Sequence, residues 1–134
     1  MRVVFDTNVL VSAVVFPGGR GEAALQRVVD EQDELVLSKA ILDELLGILA
    51  RKFSRDPDEL ARIAVFLANV AQFVAPRRRL RVVADDPDNR VIECALTGRA
   101  HAIVTGDRAL LALGAFRGVR LLSLRDYLDA DAAR

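Results

Sequence analysis

Four carboxylates in this chain stand where an α/β architecture places chemistry. Asp6 directly follows the apolar run Val3-Val4-Phe5. Glu44 borders the apolar stripe of a helix that follows a second short apolar run, Leu35-Val36-Leu37. Asp88 lies in Asp85-Asp86-Pro87-Asp88, at the mouth of a third helical segment, and Asp107 closes Thr105-Gly106-Asp107 after Ala102-Ile103-Val104. Aspartate is a favoured helix N-cap, so capping alone accounts for Asp88 and Asp107. It does not account for Glu44, nor for Asn8 and Thr105, which accompany the two acids at strand ends. In an open parallel sheet, ligands lie beyond the carboxyl ends of the strands. If these strands are neighbours, the four acids face one crevice.

Four acids in one cleft repel one another and ionise together only beside a cation. The only lysines, Lys39 and Lys52, are both on the helix after the second apolar run. Hard divalent cations with oxygen ligands, Mg²⁺ or Mn²⁺, are the natural counterions. Two such ions about 3.5–4 Å apart can hydrolyse a phosphodiester: one acidifies a water, the other stabilises the leaving oxygen. No protein nucleophile is then required, and the chain offers no good one. Cys94 lies in an apolar helical pattern and reads as core, and the single histidine, His101, has no evident partner. One cysteine also excludes an intramolecular disulfide and a Cys-based zinc site.

The elements that must position these acids follow from periodicity. A first helix resumes at Val9 and breaks at Phe16-Pro17-Gly18-Gly19. Glu22 to Asp30 reads as an amphipathic helix, and Ser38 caps one that runs to about Phe53. Asp56-Pro57-Asp58-Glu59 is a capping box with proline at N1. The helix it opens is predicted to run to Val74, before Pro76, and to form an αα-hairpin with its predecessor. Leu80 and Val82 to Ala84 read as a short extended segment. Asp86 is predicted to cap the helix that ends near Gly98, with Pro87 at N1. Strands at 102–104 and 119–122 follow, with a short helix ending at Gly114 between them and a final helix capped by Ser123. Strands alternating with helices predict a mainly parallel sheet covered on both faces, a three-layer α/β/α sandwich. At 134 residues the chain is expected to be a single domain, 1–134.

These pieces together resemble a known family. VVFDTNVLVSA at 3–13, LSKAILDEL at 37–45, DPDNRVIECA at 86–95 and AIVTGDRALL at 102–111 stand in the order and spacing of PIN-domain ribonucleases, close to the VapC-like toxins of prokaryotic toxin–antitoxin pairs. The resemblance implies a PIN-like sandwich and metal-dependent cleavage of RNA with Mg²⁺ or Mn²⁺. It matches Asp6, Glu44, Asp88 and Asp107 to the family's metal-binding catalytic acids, with Asp85 and Asp86 close enough to compete for the third place. Asn8, Ser38 and Thr105 match polar positions that support the site. It further implies a small antitoxin partner and a homodimer, for which the αα-hairpin between Leu45 and Val74 is expected to expose apolar surface.

Arg20, Arg77, Arg78, Arg79 and Arg81 are candidates for the RNA backbone by charge alone. Zero formal net charge argues against a globally cationic nucleic-acid binder. No run of membrane-spanning length and no leader-like start is evident, so a cytoplasmic protein is expected, without membrane attachment. Two alternatives remain. One is a PIN-like module that binds RNA or protein without cutting. The other is a haloacid-dehalogenase-like phosphatase with Asp6 as nucleophile, although that family wants an aspartate where Asn8 stands and a lysine before its distal acids.

Overall fold

The computed structural model describes residues 1–132. Its element order is β1 (Arg2–Phe5), α1 (Thr7–Val15), α2 (Arg20–Val29), β2 (Glu34–Ser38), α3 (Lys39–Phe53), α4 (Pro57–Val70), β3 (Ala71–Val74), α5 (Asp86–Thr97), β4 (Ala102–Val104), α6 (Arg108–Ala112), β5 (Ala115–Phe116), β6 (Val119–Leu122) and α7 (Leu124–Ala132). Six strands form one sheet in the order β3-β2-β1-β4-β6-β5, parallel except for the β5–β6 hairpin.

Consecutive residues along the central strands are buried without alternation. Val3, Val4 and Phe5 are inaccessible, as are Ala102 and Val104. Successive side chains point to opposite faces of a strand, so both faces of the sheet are covered, as a parallel sheet requires. Helix α5 lies on β1, β2 and β4, and α1 packs on β1. Gly98 makes the close approach of α5 possible: a Cβ there would stand 2.3 Å from Val36 Cγ1 on β2.

The chain runs outward from β1 to β2 and β3, then returns to place β4 on the other side of β1. The sheet therefore has its switch point between β1 and β4, the place where ligands bind in open sheets of this kind. The β1 ladder extends one residue past the strand, with the Asp6 amide donating to the Val104 carbonyl at 3.0 Å.

Three expectations are corrected. The third strand is Ala71–Val74, not the segment at 80–84. The periodicity of the preceding helix runs on past Val70, but β2 offers a free edge, and Ala71 to Val74 pair with Leu35 to Ser38 in parallel register. Residues 80–83 have their backbone groups taken by side chains of α5 instead: Asn89 Oδ1 accepts from Val82 and Val83, and Glu93 accepts from Leu80. The α5 cap is Asp85, whose carboxylate accepts from the Asp88 amide, so Asp86 is N1 and Pro87 N2. The two-residue β5, paired antiparallel to β6, is too short to leave a periodic signal. On the αα-hairpin, Leu45 is buried, whereas Val65 and Phe66 of α4 are exposed.

Candidate active site

Asp6 ends β1 and caps α1. Its Oδ1 accepts from the Val9 amide at 2.9 Å, and its Oδ2 accepts from the Thr105 hydroxyl. Thr105, inaccessible at the end of β4, also accepts from the Asp107 amide at 3.0 Å. One hydroxyl thus ties the ends of the two strands at the switch point. Asp107 caps α6, its Oδ1 accepting from the Leu110 amide at 2.9 Å. Capping and site placement coincide at both aspartates. A cap fixes one oxygen and leaves the remaining lone pairs for a ligand.

Glu44 is half-buried in the second turn of α3 and bonded to the Thr7 hydroxyl. Asp88 is the third residue of α5. Its Oδ2 is buried and has no hydrogen-bond partner, an arrangement that native proteins seldom leave in place.

The carboxyls feel one another. Burial pushes Asp88 up to about 7, with Asp107, Asp85, Asp6 and Glu44 adding to the rise in that order. Burial also raises Asp6. The Thr105 hydroxyl and the Val9 amide oppose the rise, while Asp107 adds to it. Glu44 is raised by burial, then by Asp85 and Asp6, against the Thr7 hydroxyl and Arg51. Asp86 behaves oppositely. Its bond to Asn89, then Arg90 and Arg79, hold it below the ordinary range. Of the three neighbouring acids, Asp85 and Asp88 therefore belong to the acidic crevice, and Asp86 belongs to a salt-bridge set with Arg79 and Arg90.

The other named residues take varied places. Asn8 is exposed, and its backbone amide helps to hold the Asp6 carboxylate. Ser38 is buried at the N-cap of α3, accepting from the Ile41 amide, so it positions the helix that carries Glu44. Arg20 opens α2, and Arg77, Arg78 and Arg81 are exposed on the segment before α5. Lys39 pairs with Asp43 on the exposed side of α3 at 2.5 Å. Cys94 is buried core, its thiol pushed up to about 12 by burial. His101 does have a partner: its Nδ1 accepts from the Arg2 amide at 2.9 Å.

Thr7 is the residue the sequence did not single out; Asp85, which competes along the chain for the third acidic place, is the α5 cap. Thr7 sits inside the Asp6-Thr7-Asn8 triplet, but nothing local says that its hydroxyl reaches a helix that starts some thirty residues later.

The all-oxygen donor set of Asp6, Glu44, Asp88 and Asp107 fits a hard divalent cation, as does the sealed, unpartnered Asp88 Oδ2. Among the described residues no three His, Cys, Asp or Glu side chains already form a metal cage.

A mainly parallel α/β/α sandwich with carboxylates gathered at its switch point defines the class. The chain belongs to the PIN domain family, whose model matches residues 2–109 and so takes in all four acids. It is 30% identical over 117 residues to the uncharacterized protein MJ1680 of Methanocaldococcus jannaschii, covering 84% of this chain and 75% of that protein. Three solved structures share the fold. VapBC2 from Rickettsia felis, bound to a DNA fragment from its promoter, has a TM-score of 0.67 at 15% identity, covering 92% of this chain and 98% of that one. VapBC-1 from nontypeable Haemophilus influenzae gives 0.60 at 14%, covering 93% and 99%. FitAcB from Neisseria gonorrhoeae gives 0.54 at 18%, covering 92% and 98%. No helix among the described residues is long and apolar enough to cross a membrane.

Proposed function

We propose that this protein is a divalent-metal-dependent ribonuclease that hydrolyses RNA phosphodiester bonds as the toxin of a toxin–antitoxin pair. The observation that carries the reading is the crowding around Asp88, whose carboxyl is raised to about 7 among Asp107, Asp85, Asp6 and Glu44. Such crowding is unfavourable without a cation and relieved by one. Asp6, Glu44, Asp88 and Asp107 are the residues that would hold Mg²⁺ or Mn²⁺. Bound there, the ion supplies positive charge for the developing phosphate oxyanion and acidifies a water.

The chain's own residues do the rest. The Thr105 hydroxyl and Val9 amide fix both oxygens of Asp6, so that its orientation is set before substrate arrives. The Thr7 hydroxyl favours the charged form of Glu44. Asp88 carries a proton for part of the time at neutral pH, and metal uptake displaces it.

The antitoxin partner rests on a groove of about 330 Å³ between α1, α2, α3 and α4, lined by Leu10, Val14, Leu25 and Ile63 and rimmed by the Arg55–Glu59 pair. An amphipathic segment of a small antitoxin fits such a groove. The exposed Val65, next to Phe66 at the groove's edge, extends this apolar surface outward and provides a second contact, for a homodimer. Sedimentation as a strict monomer at high concentration would count against the dimer.

The test is RNA cleavage by purified protein with Mg²⁺ or Mn²⁺, beside EDTA and the variants Asp6→Asn and Asp107→Asn. Cleavage that needs the ion and both aspartates establishes the reading. A second reading, a PIN fold that binds without cutting, has one observation in its favour: no three acids already form a cage among the described residues. Metal binding in calorimetry with an intact fold, and no cleavage across varied RNAs, would select it.

A further inference from the structure

On the far half of α5 lies a cavity of about 350 Å³ of opposite character to the acidic crevice. Arg77, Arg78 and Arg117 line it, over an apolar floor that includes Leu80 and Leu96. Its one acid, Glu93, is already satisfied: the carboxylate is buried, accepts from the Leu80 amide at 2.6 Å and pairs with Arg90 at 3.0 Å. Among the described residues the three lining arginines form no ion pair with any carboxylate, and all three are exposed. Three guanidinium groups without a carboxylate partner around one cavity repel one another and favour an anionic occupant.

The segment that follows Arg77 and Arg78 is held against α5. Asn89 grips the backbone of Val82 and Val83 with both ends of its amide, and Arg90 donates to the Leu80 carbonyl at 3.0 Å. Residues 80–83 are thereby pinned along α5, just beyond Arg77 and Arg78. Arg117 comes from the other end of the chain. It is the first residue of the two-residue β5–β6 turn, with φ 47°, followed by Gly118 at φ 84°. Asn, Asp or Gly is the usual choice at that turn position; the arginine there lays its guanidinium over the Phe116 ring, 5.0 Å from the centroid.

The pinned segment joins the cavity to the catalytic crevice. It runs from Arg77 and Arg78 beside Leu96 and Thr97 to Asp85, the cap of α5. Thr97 lies nine residues beyond Asp88 on the helix, about 13 Å at 1.5 Å per residue. A few nucleotides of single strand span that distance.

We propose that the cavity lined by Arg77, Arg78 and Arg117 is a second RNA subsite, which holds a backbone phosphate flanking the one at the acids and seats the adjoining nucleoside on Leu80 and Leu96. The proposal rests on the ribonuclease reading and adds to it where the strand is gripped. Aliphatic floor and guanidinium planes receive a base without reading its edge, so the subsite sets affinity and register rather than sequence.

The experiment is fluorescence anisotropy of a labelled single-stranded RNA in EDTA, where nothing is cut, titrated at several salt concentrations. Arg77→Ala, Arg78→Ala and Arg117→Ala are compared with the wild type. Arg125→Ala, which removes an exposed charge paired with Asp129, serves as the control. Each cavity variant is expected to weaken binding several-fold and to flatten the slope of log affinity against log salt by about 0.7 for each phosphate that is no longer neutralised. Arg117→Lys keeps part of the affinity. In cleavage assays the cavity variants raise KM and leave kcat near that of the wild type.

Cavity variants that bind and cut like Arg125→Ala overturn the subsite and leave the ribonuclease reading standing. A wild type that binds no RNA overturns both. Polyglutamate that binds the wild type but not the triple variant, with RNA binding unchanged, overturns the RNA assignment in favour of an acidic protein segment.

Discussion

Replacing Asp88 by asparagine is expected to make the metal-free protein more stable, although it removes a residue assigned to the site. The Asp88 carboxyl stands at about 7 in the folded protein against an ordinary 3.8. The folded state therefore holds this proton more tightly than the unfolded chain does. Stability falls as pH rises from 3.8 toward 7, and the loss is complete above that. The full gap corresponds to about 4 kcal/mol. Asp88 is only partly buried, and solvent screens it, so about 2 kcal/mol is the working figure. Asparagine keeps the shape and removes the charge. At this chain length ~2 kcal/mol raises Tm by roughly 7 °C. The assay is thermal unfolding in EDTA at low ionic strength from pH 5 to pH 8. The wild type is expected to lose stability across that range, and Asp88→Asn to lose much less and to unfold at a higher temperature at pH 8. Mg²⁺ or Mn²⁺ should then raise the wild-type Tm more than that of the variant. A flat wild-type profile, or a variant less stable than the wild type at pH 8 in EDTA, would refute the argument that crowding of the acids destabilises the metal-free protein.

Thr105→Val removes the hydroxyl that joins Asp6 to the Asp107 amide. It leaves buried groups unpaired and is expected to cost about 1–3 kcal/mol in denaturant unfolding, and to lower cleavage with either metal. Asn89→Ala frees the backbone of Val82 and Val83. Hydrogen exchange at those two amides is expected to speed up at least tenfold while β1 and β4 stay protected. Gly98→Ala drives a methyl against Val36 and is expected to destabilise by about 1–3 kcal/mol. Val36→Ala in the same chain should restore part of the loss, and absence of any rescue would show that the contact is not the cause.

Much of the candidate site was legible because its residues announce themselves locally. Asp6 and Asp107 each follow a short apolar run and precede a helical pattern, so chain order alone places them at strand ends. Glu44 was legible because it borders an apolar stripe at a fixed distance from the Ser38 cap. What local pattern cannot reveal is which backbone groups are satisfied by distant partners. Ala71 to Val74 continue a helical apolar spacing, and only the open edge of β2 turns them into a strand. Leu80 to Val83 have the composition of a strand, and only Asn89 and Glu93, reaching back from α5, withhold them from the sheet.

The same division applies to electrostatics. Asp85, Asp86 and Asp88 look interchangeable along the chain, since all three stand near a helix start. The path of the folded segment sets Asp86 against Arg79 and Arg90, and sets Asp88 among four carboxylates with an oxygen that no donor reaches. Local pattern along the chain sufficed for most of the alternation of strands and helices, for most caps and for the inventory of acids, because these depend on neighbours a few residues apart. Strand order, the switch point between β1 and β4, and the cavity that Arg117 shares with Arg77 and Arg78 came only with folding. Those depend on contacts between segments far apart in the chain, whose energies no local pattern encodes.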